Sequence, residues 1–529
     1  MKISKIESNP ANLSRVEILL FSFALILFLY LKTFYLPATP FLTLGDEAHY
    51  FLHALRILHG ELPYRDFFTF IFPGTDLLYA GIFRLLGVHQ WLVQAILLVL
   101  GLCLAWVVLW ISSRVLSGSS AILAAVLFLV IDFNSALDAT HHWWSTLFVL
   151  IAVGFLLRGR SQGRILAAGI SCGIAALFTQ MHGGLALLAF GIYLSWTNRE
   201  DEQSTYLLRE LLLLCMPFVA VLAFVVGPYA HMVGLRTIAY WTIYFPVVFF
   251  HHNEGNTYKT FFQKPPMHGA GDLVSLIPYS FIHAVLPLIY VLCTYRLVKN
   301  KKSMRHTEWR NIFLLTSVGT ALFVSVMSAP TFLRLCVVAP PAVILCVWLC
   351  ERTGGPYRRA RTVLWIITIF AVIYLPIARQ LHRHTIVSLP TGSVALVNDK
   401  QYEKIWWLAQ HTNSGDTFFN DPTMAFALSL ESPGPLDFVT PSDFTRPQQV
   451  NDLLSSMTRH RTRYIFLYPE LNQSNCATDN LKPFRQYVAT NYHLARVVSG
   501  GEIWQRNGTL GSDQKAIGGN FDSNHCVGS

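Results

Sequence analysis

Eleven apolar runs, each near the length of a helix that crosses a bilayer, constrain this chain more than any other feature. They cover approximately residues 16–36, 91–113, 119–133, 142–157, 165–181, 184–197, 210–230, 273–296, 311–328, 335–350 and 362–378. A hydrocarbon core needs about 20 largely apolar residues per helix. Only 13% of the 529 residues are charged and 53% are hydrophobic, where soluble domains carry roughly 25% charge. A soluble globular enzyme and a disordered chain are both excluded. The net charge of +10 would suggest nucleic acid in a soluble protein. Here its distribution reports membrane orientation, and no nucleic-acid partner is expected. The expected class is a polytopic α-helical membrane protein of about 11 transmembrane helices. The runs near 119–133, 142–157 and 184–197 are short and need neighbouring helices or local thinning of the bilayer. The first run reads as an uncleaved anchor, because no small-x-small site follows and Pro37 leads into a polar loop.

Basic residues beside the runs set the expected orientation. With a cytoplasmic amino terminus, the inner segments hold Lys2, Lys5, Arg15, Arg114, Arg158, Arg160, Arg164, Arg199, Arg209, Arg296, Lys299, Lys301, Lys302, Arg305, Arg310, Arg352, Arg358, Arg359 and Arg361. The outer loops hold fewer, over longer segments. The carboxyl tail then lies outside. Residues 237–250 are aromatic and interrupted by Pro246, and are read as an interfacial helix rather than a span.

The chain then divides into a transmembrane domain over 1–378 with a long first outer loop at 37–90, a small α/β extracytoplasmic domain over 379–507, and a disordered tail over 508–529. Within the α/β domain, Asp416–Phe419 and Arg463–Tyr468 read as strands and Lys400–His411 and Gln448–Arg459 as helices. Val497–Val498 and Ile503–Gln505 read as a closing hairpin around Gly500–Gly501. The turn Asn420-Asp421-Pro422 reads as structural. Of nine cysteines, Cys476 and Cys526 fall in the outer tail, as a disulfide or as two thiols. There is no C-x-x-C pair.

The sharpest chemical feature is Leu44-Gly45-Asp46-Glu47-Ala48-His49-Tyr50, just past the first run and ahead of a helical pattern of Phe51, Leu52, Leu55 and Leu58. Asp46 suits an N-cap. A cap leaves Glu47 and His49 unexplained. Carboxylates at a membrane edge are partly desolvated, which lifts them toward general-base range. Next come Gly60-Glu-Leu-Pro63-Tyr64-Arg65-Asp66-Phe67-Phe68 and Phe72-Pro73-Gly74. Here Arg65 and Asp66 read as a local ion pair, and the phenylalanines as a surface resting on headgroups.

An Asp-Glu pair after the first span, then Gly-x-x-Pro-Tyr-x-Asp, then an amphipathic stretch ending Arg84-Leu-Leu-Gly87, resembles the GT-C superfamily of polytopic glycosyltransferases. The nearest groups are the RgtA/B/C/D-like and protein-mannosyltransferase-like families. The resemblance is best over about residues 40–190. It implies a GT-C-like fold, a polyprenyl-phosphate-linked sugar donor, an unknown hydroxyl acceptor (lipid, glycan or protein), and a bacterial inner-membrane enzyme working at the periplasmic face of the cell envelope.

Four further places offer polar groups near span ends. Asp132, Asp138, His141 and His142 lie in the second outer loop. A helix starting at Asp138 would put Asp138, His141 and His142 on one face, as an acceptor cluster, as ligands for a divalent metal (Asp138 and His142 being the candidates) or as an interfacial His/Trp belt. The resemblance implies a second acid in this loop without choosing between Asp138 and Asp132. Gln180 and His182 precede the pair Gly183-Gly184, either lining a cavity or closing a re-entrant turn. Arg334 is the lone charge between the ninth and tenth runs. It either snorkels to a headgroup or holds the donor phosphate, the latter partly by resemblance. The loop 251–272 adds His251, His252, Tyr258, Lys259 and Lys264.

The expected chemistry is direct displacement with inversion. Asp46 is the base, Glu47 assists, and Arg334 holds the phosphate with His182 or Arg65. His49, Tyr64, Asp66 and Gln180 give support. Apart from the possible metal no cofactor is expected. A lipid-linked glycan ligase or polymerase, and a transporter or flippase of lipid-linked sugars, are the competing classes.

Overall fold

The computed structural model describes residues 13–42, 45–200, 206–263, 276–352, 356–396, 399–472 and 479–508. Leu44, Lys264, Cys476, Cys526 and 509–529 lie outside them. The chain divides into two compact units. The first comprises Met1–Thr33, Ile96–Pro228 and Tyr258–Leu381, and the second Phe34–Ala95, Tyr229–Thr257 and His382–Ser529.

The first unit is a helical bundle, and all eleven apolar runs are helical. Among the described residues seven helices are long and apolar enough to cross a membrane: Arg15–Thr33, Gln90–Ser112, Ser119–Ala136, Leu207–Val233, Leu276–Lys299, His306–Val326 and Arg359–Leu381. An eighth crossing is available if Phe332–Val338 and Pro340–Glu351, bent by 62°, act as one. The helices His141–Leu157 and Gln162–Phe178 are shorter. They pack on each other, and Gln180–Glu200 packs on both and on His306–Val326. Leu207–Val233 and Arg359–Leu381 instead turn most of their apolar residues outward. Leu208, Met216, Val219, Phe224, Ile366 and Phe370 are exposed. Apolar surface on this scale is stable against lipid and not against water. The chain is a multi-pass membrane protein.

Two expectations need correction in this unit. Gly183 and Gly184 do not form a re-entrant turn. The chain breaks earlier, at the extended Thr179 (φ −144°, ψ 107°), and both glycines lie in the first turn of Gln180–Glu200. A helix does not start at Asp138 either. Thr140 takes the extended conformation of an N-cap, and the helix starts at His141. Asp138 is left in the preceding loop, its Oδ1 accepting from the Thr140 hydroxyl at 3.0 Å, so the expected one-face triplet does not form.

The second unit carries the sheet. Strand Phe418–Phe419 pairs parallel with Tyr464–Leu467. That strand pairs antiparallel with Gly501–Arg506, which pairs antiparallel with Tyr492–Val498. Helices Pro447–Arg459 and Lys482–Asn491 pack together. Val450, Leu453, Met457, Phe484 and Val488 form a core with Ile465 and Trp504 of the sheet. Each such fully buried side chain contributes about 1.5–3 kcal/mol. The expected strands, helices and closing hairpin are all present. A further hairpin, Thr385–Leu389 with Gly392–Leu396, was not expected from the sequence. Asn420-Asp421-Pro422 is structural: Asn420 donates to Phe466 O at 2.8 Å and accepts from Val439 N at 3.0 Å. Asp421 caps the helix Pro422–Ala427 and pairs with the buried Lys404 at 2.5 Å. Residues 235–252 form short helical turns rather than one helix of spanning length. Phe245 of this stretch packs with Phe68, Phe70 and Phe444.

Candidate functional site

The acid pair opens the helix Glu47–Leu58 in the second unit. Asp46 sits at its N-cap with helical angles (φ −61°, ψ −20°) and makes no side-chain capping bond, so the cap does not account for it. The two acids differ in burial. Asp46 is exposed, whereas Glu47 is 1% exposed. The desolvation expected for both therefore falls on Glu47 alone.

The stretch after this helix is a tight turn. Tyr64 adopts left-handed angles (φ 68°) that a side chain disfavours. It is held there by its amide to Phe67 O at 3.0 Å and its hydroxyl to Ile71 O at 2.7 Å. Burial pushes the Tyr64 phenol well above its ordinary range. Asp66 accepts from Leu62 N at 2.7 Å and from both Nε and Nη2 of Arg65, at 2.9 and 2.7 Å. The guanidinium of Arg65 holds the Asp66 carboxyl below the usual carboxylate range. The fork of Arg65 is thus turned to its neighbour, the local pair that the sequence offered as one of two readings. Phe67 is not a headgroup rest: its ring lies 4.4 Å from that of His53 and under Arg56.

A group that sequence reasoning passed over sits on the same helix. His53 Nδ1 lies 3.2 Å from Asp76 Oδ1, and its Nε2 lies 2.8 Å from Asp437 Oδ2. His49 Nδ1 is 3.6 Å from the same Asp437 oxygen, and Arg56 Nη1 is 3.8 Å from the other. Arg56 also binds Glu61, Gly434 O and Asp66 O at 2.7, 2.7 and 2.8 Å. Positions 49, 53 and 56 form one face of a helix. That spacing of His, His and Arg was the available signal. Asp437, 384 positions from His53, was not readable.

In the first unit the second-loop residues gather with two others. The rings of His141 and His142 are 3.8 Å apart, and those of His142 and His182 are 5.7 Å apart. His182 Nδ1 lies 2.6 Å from Ser145 Oγ. His142 Nδ1 and His182 Nε2 are buried without a hydrogen-bond partner among the described residues. Such atoms are costly unless a ligand or water meets them. Arg334 is half-buried in the short helix Phe332–Val338, which packs on the His141–Leu157 helix. Its Nη1 donates to Ala329 O at 3.1 Å, and it is within electrostatic reach of His141 and His142. Gln180 is half-buried at the start of its helix. Asp132 is fully buried in a π-bulge, with neither carboxylate oxygen hydrogen-bonded among the described residues. No group of three or more His, Cys, Asp or Glu among the described residues is arranged to hold a metal ion.

No protein-family model matches the sequence, and no curated protein matches it. The structure does match solved ones. ArnT from Cupriavidus metallidurans, bound to undecaprenyl phosphate, superposes with a TM-score of 0.60 over 94% of this chain and 99% of that one, at 14% identity. The chain has a GT-C glycosyltransferase-like fold. The apo form of the same ArnT gives a TM-score of 0.58 with equal coverage and identity. At this identity the likeness carries the arrangement of elements, and the chemistry must come from the chain's own residues.

Proposed function

We propose that this protein is a membrane glycosyltransferase that moves a sugar from a polyprenyl-phosphate donor to a hydroxyl acceptor at the extracytoplasmic face, with Asp46 as base. The observation that carries this reading is the match over nearly the whole of both chains to an ArnT that holds undecaprenyl phosphate. The exposed, uncapped Asp46 that opens the helix after the first span supports it. Asp46 removes the proton of the acceptor hydroxyl as that oxygen bonds to the anomeric carbon. The bond from that carbon to the phosphate oxygen breaks, its electron pair stays with the phosphate, and the configuration inverts. A phosphate leaves readily as an anion and needs cationic donors rather than a strong acid, the role assigned to Arg334 with His182 or Arg65. The hydroxyl is the harder partner and needs the base. Glu47 orients the acceptor, with Asp138 or Asp132 as the second acid. Basic residues on the inner segments support an inside amino terminus and an outside carboxyl-terminal domain.

The test uses the full chain in proteoliposomes with radiolabelled polyprenyl-phosphate sugars and membrane lipid or glycan acceptors. Wild-type transfer, reduced about 10²–10⁴-fold in folded Asp46→Asn, supports the reading. Transfer undiminished in Asp46→Asn refutes the base. Movement of labelled lipid between leaflets without transfer makes the protein a flippase.

A further inference from the structure

One carboxylate, Asp437, meets three side chains along one face of the helix that opens with the acid pair. His49, His53 and Arg56 all turn to it. Asp76, from the helix Gly74–Leu86, closes on His53 from the other ring nitrogen. Both nitrogens of His53 therefore face carboxylate oxygens, which when ionised only accept. A neutral imidazole would set one nitrogen lone pair against an oxygen lone pair. An imidazolium donates twice. The His53, Asp76 and Asp437 side chains are 7%, 0% and 6% exposed, so water cannot replace a lost partner, and removing either acid leaves a buried imidazolium with one counter-charge in place of two. The same face is anchored at its far end, where Arg56 ties Gly434 O and Asp66 O. The face starts at His49, three residues after Asp46.

We infer that Asp437 is a positioning residue for the acid pair: with Asp76 it holds His53 as a cation, and this clamp fixes the rotation and register of the helix Glu47–Leu58 that presents Asp46 and Glu47. The inference rests on the reading of Asp46 as base for its catalytic consequence and on geometry alone for the clamp.

The clamp is sensitive to pH in a definite direction. The groups facing His53 are Asp76 from Gly74–Leu86 and Asp437 from the segment after Gly434, and His49 and Arg56 from its own helix meet the same Asp437. Glu61 stands behind Arg56. The ring of Phe67 lies 4.4 Å away and that of Tyr50 6.3 Å away. The packed helix Pro422–Ala427 has no titratable side chain. Burial disfavours the His53 charge, but Asp76 and Asp437 outweigh it and lift the ring from 6.5 to about 9. Burial likewise opposes ionisation of Asp437, and His53, His49 and Arg56 outweigh it, holding the acid well below the usual carboxylate range. A folded value above the unfolded one means that the contribution of His53 is complete below pH 6.5 and is lost as pH rises through about 9. The contribution of Asp437 is complete above its ordinary pKa of 3.8 and is lost only as pH falls far below it.

The experiment follows amide hydrogen exchange in peptides covering 47–58 of the full chain in nanodiscs, from pH 6.5 to 10, normalised to the intrinsic rate. Wild type is expected to keep protection through neutral pH and lose it near pH 9. Asp437→Asn is expected to exchange roughly tenfold faster there at pH 7, with its alkaline transition displaced downward, and Asp437→Glu to restore part of the protection. The triple variant His53→Gln/Asp76→Asn/Asp437→Asn removes the cation and both acids together, and should be better protected than Asp437→Asn alone. That comparison keeps the test open if the single variant folds poorly. Protection in Asp437→Asn equal to wild type at every pH overturns the clamp. Where wild type transfers sugar, Asp437→Asn should lower kcat and leave the donor KM unchanged, and an unchanged kcat in a loosened helix overturns positioning. Exchange effects as expected in a protein that transfers no sugar keep the clamp and discard the enzyme.

Discussion

Two adjacent glycines in one helix offer a controlled perturbation of the histidine cluster. A Cβ added at Gly183 would lie 2.5 Å from both Cβ and N of Ala176 and 2.6 Å from Cys172 O, all on the helix Gln162–Phe178. A Cβ at Gly184 would meet nothing within 4 Å. Ordinary contacts between such atoms are about 3.5–4 Å, so Gly183→Ala must push the helices apart by roughly 1 Å. Overpacking of this kind costs about 1–3 kcal/mol. Replacing a helical glycine by alanine gains about 0.5–1 kcal/mol at either position. The gain cancels in the difference between the variants, which leaves the steric penalty. Helix partners in a membrane depend on small residues for this close approach. The shift also draws His182 from Ser145 Oγ, 2.6 Å away, and a further ~1 Å takes that pair outside hydrogen-bond range. Thermal unfolding of both variants in the same detergent should place Gly183→Ala roughly 1–3 °C below Gly184→Ala, at about 1 °C per kcal/mol for a chain of this length. Transfer activity should fall in the first and hold in the second. Equal midpoints and equal activities would refute the packing argument.

Arg334→Gln should raise the donor KM about 10–100-fold, the worth of a charge-assisted hydrogen bond, with Arg334→Lys between; saturation kinetics with labelled donor decide it. Lys404→Met leaves Asp421 buried without its cation. It should cost about 3–5 kcal/mol, much of it regained in Lys404→Met/Asp421→Asn, as read from unfolding midpoints. Cysteines placed at the exposed Asn413 and Lys302 should differ toward an impermeant maleimide in intact cells. Labelling at 413 and none at 302 is expected, and the reverse would invert the orientation drawn from the basic residues.

What was readable in the sequence follows from how local each cause is. The apolar runs declared themselves because bilayer thickness fixes helix length, and the strands near 418 and 465 because short apolar runs rich in aromatic residues suit strands buried on both faces. Asp138 was placed on a helix because its spacing to His141 and His142 suited one. Thr140 is the better cap, and the helix starts after it. The glycine pair suggested a turn, yet Thr179 takes the break and leaves Gly183 to serve as a contact surface. Asp46 was found by its neighbour and position, whereas its exposure beside a buried Glu47 depends on packing that no local pattern records. Asp437 shows the limit most clearly. Nothing in the flanking Pro435, Leu436 and Phe438 marks it out, and only the fold brings it to His53.

The second unit draws on three stretches of chain, 34–95, 229–257 and 382–508, and one of its innermost strands, Gly501–Arg506, comes last in sequence among the described residues. A ribosome must therefore deliver every bundle helix to the translocon before this unit can close. Through that interval the 34–95 stretch waits without Asp437, the second of the two carboxylates that face His53. Closure of the second unit is in this way made the final checkpoint of biogenesis. A nascent chain stopped before residue 501 would hold every bundle helix and yet expose an unpaired sheet edge to chaperones and proteases.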